Sequence, residues 1–157
     1  MYFRIADRYE NLDNFEEVVQ DANQVFKQSF PGCFFEEGTC TASVVVVGYR
    51  SHNVVCATLL YRMPEKDGFD TYNIQKFCAF PAGYSSGTTL MQWVLEYISG
   101  ENKGVVRAWL TVEQPTPRHG IGSFYQQCGF TVVPHDPHSV QHNPGGVFEY
   151  HMAYSAG

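Results

Sequence analysis

The chain has 157 residues, 44% of them hydrophobic and 15% aromatic, and it carries a formal net charge of −6 at pH 7. This composition is typical of a folded globular protein and excludes an intrinsically disordered one. The 10 Lys and Arg residues are scattered along the chain, which argues against a nucleic-acid-binding surface, because such a surface needs a clustered basic stripe. An acidic balance is compatible with a cationic substrate such as an amine.

The cysteine pattern favours a reducing compartment. The five cysteines are widely spaced and form no C-x-x-C pair, which favours free thiols, although one disulfide stays open. No apolar run approaches the roughly 20 residues of a bilayer-spanning helix, and the initial MYFRIADRYE lacks the basic start and apolar core of a secretory signal. We therefore expect a cytoplasmic protein without membrane partners, with the nucleus as an open alternative.

The first predicted elements are a short strand over residues 2–8 and an amphipathic helix. The helix begins after a cap at Asn11 or Asp13 and runs to about Phe30, where Pro31 ends it. Its apolar residues recur at helical spacing. They are Phe15, Val18, Val19, Ala22, Val25 and Phe26.

Three strands are predicted next, followed by a loop and a second helix. Residues 41–49 and 54–63 are apolar and rich in β-branched side chains, which predicts an antiparallel hairpin with a polar turn. A second turn leads into a strand over residues 69–80. Helical spacing of apolar residues resumes at Thr88 and continues to about Gly100.

The last third of the chain predicts one short helix around Tyr125 and further strands, separated by a turn-rich segment. The predicted strands cover residues 105–113, 130–133 and 147–154. Neither a repeat nor a linker divides the sequence. One mixed α/β domain over residues 1–157 therefore accounts for the whole chain.

The loop between the fourth strand and the second helix has the composition of a phosphate-binding loop. It reads Gly83-Tyr84-Ser85-Ser86-Gly87-Thr88-Thr89. A strand, a loop of small residues and a helix together aim main-chain N–H groups and the positive end of the helix at one point, which suits a phosphate or pyrophosphate. The alternative interpretation is an ordinary turn that uses Gly and Ser for their conformational freedom.

A second motif, FYQQCGF over residues 124–130, favours the phosphate interpretation. With it, the chain resembles the Gcn5-related N-acetyltransferase (GNAT) superfamily, which has a Leu/Phe-Tyr-x-x-x-Gly-Phe element between a helix and a strand. The family's pyrophosphate loop, Arg/Gln-x-x-Gly-x-Gly/Ala, is matched at Gly87, whereas Tyr84 stands at the Arg/Gln position and Thr89 at the last Gly/Ala position. The order of predicted elements extends the resemblance over nearly the whole chain.

This resemblance implies a fold, a co-substrate and a set of contacts. The implied fold is a single α+β domain with a mostly antiparallel sheet of six to seven strands, splayed at the cofactor site and flanked by helices. The implied co-substrate is acetyl-CoA, with its pantetheine paired along the fourth strand and its pyrophosphate at the loop. The residues expected to bind it are Phe77, Cys78, Ala79, Gly83, Tyr84, Ser85, Ser86, Gly87, Thr88 and Thr89.

The resemblance also assigns a general acid and leaves the general base open. Tyr125 matches the family tyrosine that protonates the departing thiolate, although a packed aromatic role is the alternative. Ile74 occupies the position that carries a Glu in the histone-acetylating branch. We therefore considered other carboxylates as the base, chiefly Asp70 and Glu113, and a water relay.

The loop after the first helix is expected to border the acceptor site, as in the family. Its residues Phe34, Phe35, Glu36 and Glu37 are predicted to contact the substrate, and either glutamate is a further candidate base. The predicted function is a transferase that moves an acetyl group from acetyl-CoA to a primary amine by direct attack in a ternary complex. The acceptor is a small amine, such as a polyamine, or a protein amino group. The alternative is a non-catalytic GNAT-like scaffold that acts as an interaction module.

The histidines do not predict a metal site. His135, His138 and His142 are spaced as H-x2-H-x3-H, but they lie in a segment rich in Pro, Asn and Gly, which favours exposed loop histidines. Cys78 and Cys128 lie in the two motifs and are expected to be small buried residues. We expect no metal and no nucleic-acid partner, and the sequence leaves a homodimer open.

Overall fold

The computed structural model describes residues 1–7, 15–29, 43–80, 85–114, 121–132, 141–142 and 148–156. Within these ranges, strands and helices follow one another in the predicted order. They are β1 (Tyr2–Asp7), α1 (Phe15–Ser29), β2 (Ser43–Arg50), β3 (Asn53–Pro64), β4 (Asp70–Ala79), α2 (Ser86–Glu101), β5 (Val106–Gln114), α3 (Ile121–Gln127), β6 (Thr131–Val132), β7 (Gln141–His142) and β8 (Phe148–Ala156).

The strands form one sheet with the order β1-β2-β3-β4-β5-β8-β6, and β7 pairs with β8. The pairs β1–β2, β2–β3, β5–β8, β6–β8 and β7–β8 are antiparallel. The predicted mixed α/β class and its sheet of six to seven strands are confirmed: seven strands form the path of the sheet, and β7 is a further described strand off that path. The additional strand is β7, which has two residues and forms by pairing with β8, so no alternation along its own sequence could reveal it. The splay at the cofactor site stays a prediction.

The described residues group into two compact units. The first unit contains Met1–Arg62 and Ile74–Val94, and the second contains Met63–Asn73 and Leu95–Gly157. A single domain over the whole chain therefore stays a prediction.

In the first unit, α1 covers one face of the β1–β3 part of the sheet. All six residues of its predicted apolar face are buried, and they share a core cluster with Ala6, Val45, Val47 and Leu59 from the strands. Glu16 and Glu17 in the first turn and Lys27 in the last complement the helix dipole. The amphipathic pattern therefore predicted this helix and its packing face correctly.

The first half of α2 covers the opposite face of the same unit. Arg4 of β1 reaches Glu17 of α1, with Nη1 and Oε1 2.7 Å apart. Phe3 points to the other side of the strand, because successive side chains alternate, and its ring lies 5.2 Å from that of Trp93 in α2. Residues at both faces are fully buried, including Val46 and Val47, so this part of the sheet lies between two helical layers.

Two pairs of polar side chains connect elements of the first unit. Arg62 and Asp7 form an ion pair at 2.6 Å, with their side chains 15% and 3% exposed. The hydroxyl of Tyr49 donates a hydrogen bond to Asp21. Burial, followed by the Asp21 carboxylate, raises the pKa of Tyr49 far above its usual value. These contacts fix α1 and β1 at the edge of the sheet.

The β2–β3 hairpin turns through Ser51 and His52, which have φ angles of 51° and 69°. Because Arg50 pairs with Asn53, the loop has two residues, and positive φ at both central positions identifies a type I′ turn. The predicted hairpin is confirmed, although its turn sequence carries neither Asn-Gly nor Asp-Gly.

In the second unit, the main structural pair is β5–β8, which runs in register from Val106 opposite Ala156 to Gln114 opposite Phe148. The buried amide of Asn102 resembles a strand partner for Asp70. Its Oδ1 accepts from the Asp70 N–H at 3.2 Å, and its Nδ2 donates to the Asp70 carbonyl at 2.7 Å. A side chain thereby satisfies the main chain at the first residue of β4.

Two smaller expectations need correction. The second helix begins at Ser86 and not at Thr88, because Ser and Gly have low helix propensity and hide the first turn from a periodicity argument. Cys128 is only partly buried, since it follows a helix of seven residues that is too short to cover it. Cys78 is buried as expected, and Cys56, Cys78 and Cys128 are free thiols.

Candidate active site

At the end of β4, the peptide groups of successive residues point alternately towards β3 and away from it. The Phe80 N–H donates to the Val55 carbonyl of β3 at 2.9 Å, and the Lys76 carbonyl accepts from Thr58 Oγ1, also on β3, at 2.7 Å. Main-chain groups alternate sides along a strand, so the N–H and C=O of Phe77 and Ala79 point away from β3.

The three predicted contact residues on β4 therefore divide into two kinds. Phe77 and Ala79 direct their peptide groups to the side of β4 away from β3, on which β5 is the next strand of the sheet. If the sheet is splayed at this point, as the sequence predicts, an extended ligand could pair with them as an added strand. Cys78 directs its peptide groups towards β3, and its thiol lies in the core cluster with α1.

Six residues separate the end of β4 at Ala79 from the start of α2 at Ser86. Ser85 precedes the helix, and its carbonyl accepts both the Thr89 N–H and the Thr89 hydroxyl at 3.1 Å. Helix geometry leaves the N–H groups of Ser86, Gly87 and Thr88 without an acceptor inside the helix. Ser86 and Gly87 are buried, whereas Ser85 and Thr88 are exposed.

The start of α2, a helix of 16 residues, carries no negative charge of its own. Its first turn carries no acidic residue, whereas α1 carries Glu16 and Glu17 there. The positive end of the α2 dipole is therefore not offset by a carboxylate of that turn, and it is suited to an anionic ligand. Gly83 and Tyr84, predicted to belong to this loop, lie outside the described residues.

The FYQQCGF motif forms the end of α3 and its exit towards β6. The Phe130 N–H donates to the Tyr125 carbonyl and the Gly129 N–H donates to the Gln126 carbonyl, both at 3.0 Å. With Gly129 at a φ of 100°, these two bonds constitute a Schellman motif, in which Gly129 is the left-handed residue after the helix. The spacing of Tyr125, Gly129 and Phe130 thus has a local structural cause.

Tyr125 is half-buried and packed among aromatic rings. Its ring centroid lies 6.0 Å from that of Phe130 and 5.2 Å from that of Phe124, in edge-on arrangements. The contact with Phe130 is the hydrophobic contact that accompanies a Schellman motif. These contacts hold the Tyr125 ring, so the orientation of its hydroxyl is determined by the turn and not left to a mobile side chain.

The candidate bases lie on different strands. Asp70 begins β4, at the opposite end of that strand from Phe77, and its main chain is hydrogen-bonded to the Asn102 side chain. Glu113 is the penultimate residue of β5, where its main chain pairs with Glu149. Ile74 is buried, so β4 offers no carboxylate at the position where the histone-acetylating branch has one. The predicted acceptor residues Phe34, Phe35, Glu36 and Glu37 lie outside the described residues.

Sequence reasoning missed Thr58, whose hydroxyl bonds to β4. The available signal was a single polar residue in the otherwise apolar run Cys56–Leu60, which on a buried strand must find a partner. Among the described residues, no three His, Cys, Asp or Glu side chains are grouped to hold a metal ion. None of the described helices has the length and apolarity needed to span a membrane.

Comparison with known proteins identifies the fold. No family model and no curated protein sequence matches the chain, but solved structures match it over nearly its full length. An aminoglycoside 6′-N-acetyltransferase complexed with coenzyme A has a TM-score of 0.69 at 12% identity, covering 99% of this chain and 97% of that one.

Two further structures extend the likeness to enzymes with different names. Arabidopsis thaliana Naa50, in complex with the bisubstrate analogue CoA-Ac-MVNAL, has a TM-score of 0.66 at 13% identity and covers 99% of this chain and 100% of its own. Tetrahymena GCN5 has a TM-score of 0.63 at 12% identity and covers 99% and 96%. The element order, the sheet and these likenesses together show that the chain has the GNAT acetyltransferase fold.

Proposed function

We propose that the protein is an N-acetyltransferase that transfers the acetyl group of acetyl-CoA to a primary amine. The observation that carries the proposal is the junction of β4 and α2. The main chain of Phe77 and Ala79 faces away from β3, where the sheet is predicted to splay, and β4 is followed by a helix start with no acidic residue in its first turn. Coenzyme A combines two amides with a pyrophosphate, and these are the groups that a strand edge and a helix N-terminus bind.

In this proposal, the main chain of Phe77 and Ala79 pairs with the pantetheine amides. The N–H groups of Ser86, Gly87 and Thr88 and the hydroxyls of Ser85 and Thr88 bind the pyrophosphate, together with Gly83 and Tyr84 of the preceding loop. Because Tyr84 cannot supply the positive charge of the usual Arg, we expect weaker coenzyme binding than a cationic residue would give. Cys78 acts as a core residue beneath this site.

The reaction proceeds by direct attack. The neutral amine forms a C–N bond with the thioester carbonyl carbon, the C–S bond breaks, and the sulfur takes a proton from the Tyr125 hydroxyl. A phenol, with a pKa of about 10 in its unperturbed state, is a suitable donor to a thiolate. Glu113 or a water relay accepts the proton of the amine, and Asp70 is the weaker candidate because it begins β4, at the opposite end of that strand from Phe77.

The acceptor is a primary amine, either a small amine or a protein amino group. Two similar structures support this range, since one is named for aminoglycoside 6′-N-acetylation and another holds a CoA–peptide analogue. A non-catalytic scaffold is the competing function, and the buried Ile74 favours it because β4 then lacks a carboxylate at the position that carries a Glu in the histone-acetylating branch.

Calorimetry and thermal unfolding with acetyl-CoA test the proposal. At a ligand concentration about 100 times Kd, binding raises the unfolding free energy by about 2.7 kcal/mol, which corresponds to a Tm increase of roughly 5–10 °C for a chain of this size. Thiol release with a panel of small amines and peptides then identifies the acceptor. Absence of stabilisation would overturn the proposal, and stabilisation without turnover on any amine would favour the scaffold.

A further inference from the structure

The stretch of sequence that is proposed to bind the coenzyme carries no cationic side chain. Residues 77–102, which include the end of β4, the loop after it and all of α2, contain neither Lys, Arg nor His. The polar side chains at the start of α2 are hydroxyls, those of Ser85, Ser86, Thr88 and Thr89. Hydroxyls and main-chain N–H groups bind an anion as dipoles at hydrogen-bond distance and bring no net charge.

Three cations of the first unit are held by other elements. The Lys76 ammonium lies 5.9 Å from the centroid of the Phe26 ring of α1, on the face of the sheet opposite to α2. Arg4 and Arg62 form ion pairs at 2.7 and 2.6 Å with acidic residues of α1 and β1. The contacts of these three side chains are therefore with α1 and β1.

The charge of the whole chain acts against a cation-like attraction at long range. The formal net charge is −6 at pH 7, and coenzyme A is a polyanion that carries a 3′-phosphate in addition to its pyrophosphate. Added salt weakens the repulsion between the two, and it also screens the attraction to the positive end of the α2 dipole. These two long-range effects offset each other, whereas hydrogen bonds act at contact distance and are screened little.

We infer that the site recognises the pyrophosphate through neutral dipoles and does not require the 3′-phosphate, so that thioesters of 3′-dephospho-CoA are acyl donors as good as thioesters of CoA. The inference rests on the proposed function and extends it to a class of donors that share pantetheine and pyrophosphate. A cation is the group that gains most from an additional phosphate, and residues 77–102 supply none.

Calorimetry on the full chain compares CoA with 3′-dephospho-CoA. The two Kd values should agree within about threefold, and each should change less than about threefold between about 50 and 500 mM NaCl. The acetylated forms of the two coenzymes should likewise give KM values within about threefold of each other in the thiol-release assay.

A pair of variants tests whether the missing cation is the cause. Tyr84→Arg places a cation at the Arg/Gln position of the family loop. It should lower the Kd for CoA about fivefold at about 50 mM NaCl, and most of this gain should disappear at about 500 mM, because salt screens the added charge. Gln20→Arg is the matched control. It adds the same charge at an exposed position of α1, on the other face of the sheet, and should leave the Kd and its salt response unchanged.

The outcomes separate the inference from the function. In the wild type, a preference for CoA of more than about threefold, or a Kd that rises more than about threefold with salt, would overturn the inference and leave the proposed function intact. An equal gain in Tyr84→Arg and Gln20→Arg would also overturn it, because the net charge and not the site would then control binding. Failure of the wild type to bind CoA would overturn both.

Discussion

At the scale of single residues, Tyr125 combines a structural position with the proposed chemical role. Its ring packs against Phe130 as part of the turn that ends α3, while its hydroxyl is the proposed proton donor. A residue with both roles is informative, because removing the hydroxyl alone leaves the ring contacts in place. The structural role explains the motif spacing without reference to catalysis, so activity has to be measured directly.

Replacing Tyr125 by Phe should lower kcat for thiol release about 100-fold, the lower range for loss of a general acid. Coenzyme affinity and Tm should change little, because the ring is retained. Tyr154→Phe is the matched control, since Tyr154 also packs against Phe130 and has no proposed part in the reaction. A kcat equal to that of the wild type in Tyr125→Phe would remove the acid role.

At the scale of secondary-structure elements, the end of α3 depends on Gly129. A Cβ at this position would lie 2.7 Å from the Tyr154 ring, and the φ of 100° disfavours any side chain. We therefore expect Gly129→Ala to reduce the unfolding free energy by about 1–3 kcal/mol, measured by urea denaturation.

The matched control for this substitution is Gly100→Ala in α2. No atom lies within 4 Å of a Cβ built on Gly100, and alanine favours a helix over glycine by about 0.5–1 kcal/mol. Gly100→Ala should therefore be neutral or stabilising. Equal destabilisation by both substitutions would contradict the role assigned to the Gly129 turn.

The β2–β3 hairpin offers a stabilising substitution at the same scale. Ser51 and His52 both adopt positive φ, a conformation that Asn-Gly adopts more readily. We expect the double variant Ser51→Asn/His52→Gly to raise the unfolding free energy by about 0.5–1 kcal/mol, seen as a higher urea midpoint with an unchanged m-value. A lower midpoint would show that the native side chains make contacts that outweigh their backbone strain.

The long elements could be predicted from the sequence because their patterns are local. Helix α1 carries apolar residues at a fixed spacing that determines both its type and its buried face, and strand β3 carries a continuous apolar run that determines its type. The first turn of α2 was missed because Ser86 and Gly87 are weak helix formers, and β7 because its two residues depend on pairing with β8. The sequence also could not show which residues at the end of β4 turn their peptide groups away from β3. That direction is seen only from the hydrogen bonds that β4 makes with Thr58 and Val55 of β3.

At the scale of the whole molecule, one buried thiol links stability to pH. Burial raises the pKa of Cys56 from 9.0 to about 11, since the thiolate is disfavoured in the interior. The folded protein therefore binds more protons than the unfolded chain between these values. Stability from this group is present below pH 9 and is lost as the pH rises towards 11.

Urea denaturation at pH 8 and pH 11 should show this linkage. The wild type should lose about 2 kcal/mol more unfolding free energy than Cys56→Ala over that interval, because only the wild type has a thiol to ionise. Comparing the two proteins cancels the titration of lysines and tyrosines common to both. Parallel losses in the two proteins would show that folding does not raise the pKa of Cys56.

The absence of an acidic residue from the first turn of α2 implies a trade-off between the stability of the fold and the binding of an anion. An acidic residue in place of Ser85 or Thr88 would interact favourably with the positive end of the α2 dipole. It should therefore stabilise the fold, as Glu16 and Glu17 do for α1. The same carboxylate would repel any negatively charged guest. A sequence selected only for stability would therefore place an acidic residue at the start of α2. In this chain the positive end of the α2 dipole is left for a bound anion to neutralise.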